Sequence, residues 1–445
     1  MTFDAHFSSH IYSLPFMGIL LSISLGPILF QNIWHKNYFR FAIFWSLISL
    51  TLLMGKFGVT LTLQEWIHML FHEYIPFILM IAALYTITGG IHIIIRTRAH
   101  AGVNGLLLLI GSFLASFIGT TGAAMLLIRP LLDMNRHRKY RTHLVIFFIF
   151  LVANVGGSLT PLGDPPLFLG YLQGVPFWWP MEHLFGPMVK ILILLIAIFL
   201  AIDHYLLAKE EKQPNVREKG QRLVHIAGMR NFPILLGVVM SVWMLGEWSG
   251  APSLGILELT WAEVLRNVLL LGFALISWKI TPRRVREYNH YCWEPFKEVA
   301  RLFIGIFTTI IPVIQMLHQG ITGPFGGLLQ LANPGGQPDS KLYFWLTGWL
   351  SAFLDNAPTY LVFFHMAGGN AQVLSTAMTP TLMAISAGAV FMGAMTYIGN
   401  APNFMVKAIA EKHHIKMPSF FGYMLWSCAI LLPTFAIFCW IFLEK

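Results

Sequence analysis

Residues Asn154 to Leu169 read NVGGSLTPLGDPPLFL and lie within sequence apolar enough to sit in a membrane. They cannot continue as one helix. Gly156, Gly157 and Gly163 loosen the backbone, while Pro161, Pro165 and Pro166 remove amide donors and clash with preceding carbonyls. Hydrocarbon offers no water to a broken backbone. The freed groups must be satisfied by protein or face a water-filled cavity, so the break is a candidate binding site.

The stretch recurs. Moving on by 236 positions gives Val390 to Met405, VFMGAMTYIGNAPNFM, with Gly157 on Gly393, Thr160 on Thr396, Gly163 on Gly399, Pro166 on Pro402 and Phe168 on Phe404. The same offset of 236 carries Ser116 to Ala123, SFIGTTGA, onto Ala352 to Thr359, AFLDNAPT. Two irregular polar motifs at identical spacing in each half indicate an internally duplicated transporter.

The rest of the chain fits a membrane. Apolar residues make up 56% and charged residues 11%, so runs of about 18 or more apolar residues leave no soluble domain of any size. Full spans are expected near 13–33, 39–61, 74–95, 143–172, 186–207, 231–248, 262–280, 301–320, 379–405 and 419–442. Residues 101–131 and 341–368 are apolar but cut at Gly119-Thr120-Thr121-Gly122 and at Asp355-Asn356-Ala357-Pro358. Each arm is too short for a core of about 30 Å, which predicts two re-entrant hairpins. The N-terminus has no Lys or Arg before the first apolar run, so that run is read as a retained helix.

Charge supplies orientation. Of the 29 Lys and Arg residues, 24 fall in 34–40, 96–102, 129–141, 208–230, 279–301 and 406–418. These segments are therefore expected in the cytoplasm and both termini outside. The net charge of +9 thus reflects membrane topology rather than a nucleic-acid partner. With this topology the duplication is inverted: 1–207 forms the first repeat, 231–445 the second, and 208–230 a polar cytoplasmic linker. The three cysteines are too few and scattered for a disulfide framework.

Polar residues at membrane depth gather at the breaks and hairpin tips: Ser116, Thr120, Thr121, Asn154, Ser158, Thr160 and Asp164, then Asp355, Asn356, Thr359, Thr396, Asn400 and Asn403. Asp164-Pro-Pro, Asn356-Ala-Pro and Asn400-Ala-Pro read as N-caps followed by proline in the first turn. Asp164 is thus either an ion ligand or a cap, whereas Asp355, with Asn356 beside it to cap, is read as functional. The acids are not duplicated, because Asp164 aligns with Asn400 and Asp355 with Gly119. Bringing the motifs together places one carboxylate from each repeat near one cavity. A buried carboxylate without a basic partner tends to bind a proton, and a cation can replace that proton. Helix N-termini at the same tips also favour anions, which keeps an oxyanion substrate open. His92 and the interfacial Asp203 and His204 rank below these residues. No H-E-x-x-H pair, nucleotide loop or G-x-S-x-G elbow is present, so an enzyme is not expected.

At GGSLTPLGDPP (Gly156 to Pro166), FLDNAPT (Phe353 to Thr359) and TYIGNAPN (Thr396 to Asn403) the chain resembles the ion transporter superfamily. This clan includes citrate carriers, the arsenite pump membrane subunit, dicarboxylate/sodium symporters and NhaD-type sodium/proton antiporters. The branch it resembles most is a bacterial one labelled either citrate transporter or sodium/proton antiporter. The resemblance implies an all-α polytopic protein of about ten transmembrane helices plus two hairpins in inverted repeats. It further implies a scaffold domain, a mobile transport domain holding both hairpins, a homodimer and a place in the bacterial inner membrane. Dicarboxylate members carry paired Ser-Asn-Thr tips, and Gly119-Thr120-Thr121 and Asp355-Asn356-Ala357 depart from that pattern. The favoured expectation is a Na⁺/H⁺ antiporter without a resident cofactor, using Asp164 and Asp355 with oxygen ligands from Thr120, Asn356, Thr396 and Asn400. The alternative is a cation-coupled carrier of citrate or another organic anion.

Overall fold

The computed structural model describes residues 7–97, 99–210, 223–248, 250–255 and 257–443. The chain is an all-α polytopic membrane protein. It opens with α1 (Leu14–Leu29) and α2 (Gln31–Phe57), then a long helix built from α3 (Val59–Met69), a π-helical turn at Leu70–Tyr74 and α4 (Ile75–Thr88). The first hairpin is α5 (Ala101–Ile118) and α6 (Thr120–Met134), and the first broken helix is α7 (Thr142–Leu151) and α8 (Pro165–Leu172). There follow α9 (Trp179–Ala208), α10 (Asn231–Gly246), α11 (Trp261–Ile280), α12 (Arg283–Tyr288), α13 (Glu294–His318) and α14 (Gly326–Ala332). The second hairpin is α15 (Ser340–Leu354) and α16 (Asn356–Met366). After α17 (Ala371–Ser375) comes the second broken helix, α18 (Thr379–Met392) and α19 (Ala401–Lys412), and then α20 (Phe420–Phe442).

Among the described residues, eight helical segments are long and apolar enough to cross a membrane; one is the first hairpin arm, Ala101–Ile118, whose 18 residues overturn the expectation that each arm is too short to span. Thr142–Ser158, Asn231–Gly246 and Thr379–Met395 are shorter apolar helices. Proline in the first turn starts α4, α8, α9, α13, α18 and α19, where its missing amide costs nothing. A reciprocal Thr260–Glu263 capping box starts α11.

Burial separates centre from rim. Leu144 to Leu151 of α7 and Ala384 to Met392 of α18 are buried all round, as helices at the middle of a bundle must be. On α2, α9 and α20, by contrast, Phe44, Leu47, Ile193, Leu425 and Trp440 face outward, a distribution suited to lipid. The broken helices therefore lie innermost, and their polar groups meet protein rather than hydrocarbon.

Three expectations need correction. The polar run Gln64 to Glu73 belongs to the helix from Val59 to Thr88 rather than to a loop between spans, because its side chains find partners: Trp66 Nε1 donates to Thr308 Oγ1 at 3.0 Å and His72 Nε2 meets Leu257 O at 2.8 Å. His92 is in a strand, β1 (His92–Ile95), paired antiparallel with β2 (Val224–Ala227), where β-branched isoleucines favour extended backbone. The final part of segment 208–230 is thus ordered against the first half of the chain, while residues 211–222 of that linker lie outside the described residues. Asp203 is fully buried rather than interfacial, since Arg138 Nη1 at 2.5 Å, His143 Nε2 at 2.8 Å and Asn104 Nδ2 at 2.9 Å surround it.

Candidate functional site

The hairpin tips turn on matching backbone. Gly119 has φ 81° and ψ 146°, and Asp355, 236 positions later, has φ 83° and ψ 140°. Such a positive φ lets the incoming arm stop and the return helix start within one residue. Glycine adopts it freely, whereas aspartate is strained there.

Each break is held by side-chain hydrogen bonds to its own unwound carbonyls and to the ends of the helices beside it. In the first, Thr160 Oγ1 donates to Ser116 O, Ser116 Oγ donates to Gly156 O at 2.5 Å and Asn154 Nδ2 donates to Ile149 O at 2.8 Å. In the second, Thr396 Oγ1 donates to Ala352 O, and Asn403 Nδ2 donates to Gly393 O at 2.8 Å and Thr396 O at 2.9 Å. Tyr423 and Ser427 of α20 take the carbonyls of Ala394 and Met395 at 2.8 and 2.7 Å. Backbone crosses backbone closely at both breaks: a Cβ on Gly163 would lie 2.2 Å from Gly157 O, and one on Gly399 2.6 Å from Gly393 O.

All four motifs meet at Asp164. Thr120 Oγ1, from the first hairpin, donates to its Oδ1 at 2.8 Å, and Asn400 Nδ2, from the second break, donates to the same oxygen at 3.0 Å. Asn356 Nδ2, from the second hairpin, donates to Oδ2. Asn400 also reaches Asn154 Oδ1 at 3.3 Å, and Asn154 Nδ2 donates to Asn403 Oδ1 at 2.7 Å, so the two breaks are bonded directly. Among the described residues, every side chain bonded to the Asp164 carboxylate is neutral.

The capping roles differ from the sequence reading. Asp164 and Asn400 occupy the N-cap positions of α8 and α19, yet neither side chain caps its own helix, because both turn toward each other. At the second tip the cap is Asp355, whose Oδ1 accepts from Ala357 N at 3.2 Å, rather than Asn356. Asn356 is the first helical residue, and its amide is thereby free to reach Asp164.

A cavity of about 690 Å³ opens beside this cluster. Its floor is formed by Gly119, Thr120 and Thr121, Gly163 and Pro165, Asp355 and Asn356, and Asn400 and Ala401, so the N-termini of α6, α8, α16 and α19 all reach it. Arg129, His290, Glu298, Lys412 and His413 line the end toward the basic segments. Among the described residues none of its lining comes from the opposite connections at 173–178, 247–260, 319–339 or 367–378. The cavity reaches one face.

A family model described as "Putative citrate transport" matches residues 5–443. The chain belongs to this citrate-transport family. It is accordingly a multi-pass membrane transporter on the citrate-transporter branch of the ion transporter superfamily. A search of curated proteins found no match.

Within this family member the thirteen sequence-selected residues divide, with Ser158 Oγ bonded within its own break to Val155 O at 2.9 Å. Thr120, Thr121, Asp355, Asn356 and Asn400 line the cavity, and Asp164 lies directly behind three of them. Ser116, Asn154 and Asn403 commit their donors to the two broken helices, Thr160 and Thr396 donate from the breaks to the ends of the incoming hairpin arms, and Thr359 Oγ1 donates to Asp355 O at 2.8 Å. Among the described residues the fully buried Asn356 Oδ1 has no hydrogen-bond partner, which leaves one oxygen beside the cavity floor for a ligand. Sequence reasoning passed over Arg129, His290, Glu298 and Lys412 and read His413 as a solvated loop residue, because it assigned the charged segments to topology. Charge in or beside the helices that leave the motifs was the available signal for Arg129, Lys412 and His413.

Proposed function

We propose that this transporter exchanges a monovalent cation, Na⁺ or Li⁺, for protons by alternating access, with the exchange site between Asp164 and Asp355. The observation that carries the reading is the bridge at the site: Asn356 donates to the Asp164 carboxylate while its neighbour Asp355 lies on the cavity wall. Asp164, ringed by neutral donors and joined through Asn356 to a second acid, calls for a compensating proton or cation. Alternate occupancy by either one is exchange. Asp355, Asn356 Oδ1 and Thr120 offer the oxygen ligands that a hard cation takes at broken helices. The same reading places the basic segments in the cytoplasm of a bacterial inner membrane with both termini outside, two inverted repeats divided near 208–230, and the cavity open inward. A homodimer is part of the reading by family resemblance.

A second reading, cation-coupled transport of citrate or a related organic anion, draws on the four helix N-termini at the floor, on Arg129 and Lys412 toward the mouth, and on the family's description. Proteoliposomes with an imposed pH gradient separate the two. Exchange predicts that added Na⁺ or Li⁺ collapses the gradient and that Asp355→Asn abolishes the collapse. Accumulation of labelled citrate, with sodium alone leaving the gradient untouched, rejects the exchange reading.

A further inference from the structure

Glu73 is a carboxylate at mid-length of the 30-residue helix from Val59 to Thr88, within the π-helical turn Leu70–Tyr74. Such turns widen a helix locally and recur at functional positions. Gln173 Nε2 donates to Glu73 Oε1 at 3.2 Å. Gln173 is the C-terminal cap of α8, the helix whose N-terminal cap is Asp164. An eight-residue helix is a rigid rod of about 12 Å. It thus joins the proposed exchange site at one end to Glu73 at the other.

The same end of α8 is gripped twice more. Tyr171 OH donates to Val242 O of α10 at 2.8 Å and lies 3.3 Å from Arg266 Nη1 of α11. The neighbouring His72 is committed elsewhere, to Glu263 Oε1 at 3.3 Å and Leu257 O at 2.8 Å, which fixes the π-helical turn against α11 and the connection before it. These contacts lie away from the cavity, toward the face that the cavity does not reach.

We propose that the Glu73–Gln173 hydrogen bond is the latch of the closed face. It holds α8 against the long helix, and releasing it permits access to Asp164 from the side opposite the basic segments. Glu73 is then a positioning residue for transport: it acts through α8 and touches no substrate. The inference rests on the alternating-access part of the proposed function and is independent of which ion is carried.

The test reads accessibility. Ile398→Cys places a thiol on the cavity wall of a full-length chain carrying Cys292→Ser, Cys428→Ser and Cys439→Ser. A membrane-impermeant maleimide is then applied to vesicles of each orientation. The parent should react from the basic-segment face and slowly from the other. Glu73→Leu and Gln173→Leu should each speed reaction from the opposite face about tenfold, the weight of one hydrogen bond to a charged group. The exchanged pair, Glu73→Gln with Gln173→Glu, should return to the parent rate. Opposite-face labelling at the parent rate in both single variants overturns the latch, and so does an exchanged pair that stays fast. Should one single variant fail to fold, the other breaks the same bond and carries the comparison. Absence of cation exchange in proteoliposomes rejects the proposed cargo while leaving this labelling result to stand by itself.

Discussion

Asp355 combines two roles that a pair of substitutions separates. Its backbone, at φ 83° and ψ 140°, strains a residue with a Cβ by about 1–3 kcal/mol. Its side chain caps α16 through Ala357 N, and replacing a good cap by glycine costs only a few tenths of a kcal/mol, against about 1 kcal/mol for alanine. Glycine carries a further cost of roughly 0.5–1 kcal/mol in the flexibility of the unfolded chain. Asp355→Gly is therefore expected to hold or raise stability by about 1 kcal/mol, and Asp355→Ala, which keeps the strain and loses the cap, to lower it by about 1 kcal/mol. Gly119, at the matching tip, shows the backbone that glycine would adopt. Both variants should fail to collapse a proton gradient on sodium addition. Thermal unfolding of the purified protein in detergent and the proteoliposome assay check the two halves. Asp355→Gly melting as low as Asp355→Ala refutes the strain argument, and a glycine variant that still exchanges refutes Asp355 as a ligand.

Other outcomes follow from the same contacts. Asp164→Asn replaces one acceptor by an amide that faces donors from Thr120, Asn400 or Asn356, so it should destabilise by about 2–4 kcal/mol, more than Asp355→Asn, in the same melting assay. Gly163→Ala drives a Cβ to 2.2 Å from Gly157 O and should abolish folded expression, whereas Gly272→Ala, with nothing within 4 Å, should stabilise α11 by about 0.5–1 kcal/mol. Asp203→Ala leaves the Arg138 guanidinium buried without its shortest partner and should cost about 3–5 kcal/mol, read as loss of monodisperse protein on size-exclusion chromatography.

Much of the architecture was legible because Gly and Pro in apolar sequence admit few arrangements. The hairpin cuts at Gly119 and Asp355 and the breaks after Leu151 and Met392 fall where the motifs place them. Pairing was harder to read. Hydropathy treats His72 and Glu73 as polar and cannot know that Glu263 and Gln173 await them, so the third helix was placed too late. Asp203 looked interfacial because Arg138 is 65 positions away along the chain. The cap at the second tip was misassigned for a related reason. Asp164-Pro and Asn400-Ala-Pro suggest that Asn356-Ala-Pro starts its helix in the same way, but a hairpin tip needs its positive φ one residue earlier, at Asp355. The amides around Asp164 were legible by motif and repeat position, Asn400 as its partner at the offset of 236 and Asn356 at the second tip, but their direct bonds to its carboxylate were not.

The ribbon formed by His92–Ile95 and Val224–Ala227 places one strand on each side of residues 211–222. A gene divided within 211–222 yields two polypeptides that each keep one strand, together with one hairpin and one broken helix. Each fragment thus carries an adhesive edge of four residues in a fixed register, His92 opposite Ala227 through Ile95 opposite Val224. Co-synthesis of the fragments should reconstitute the transporter, and shifting that register by a single inserted residue should impair their reunion.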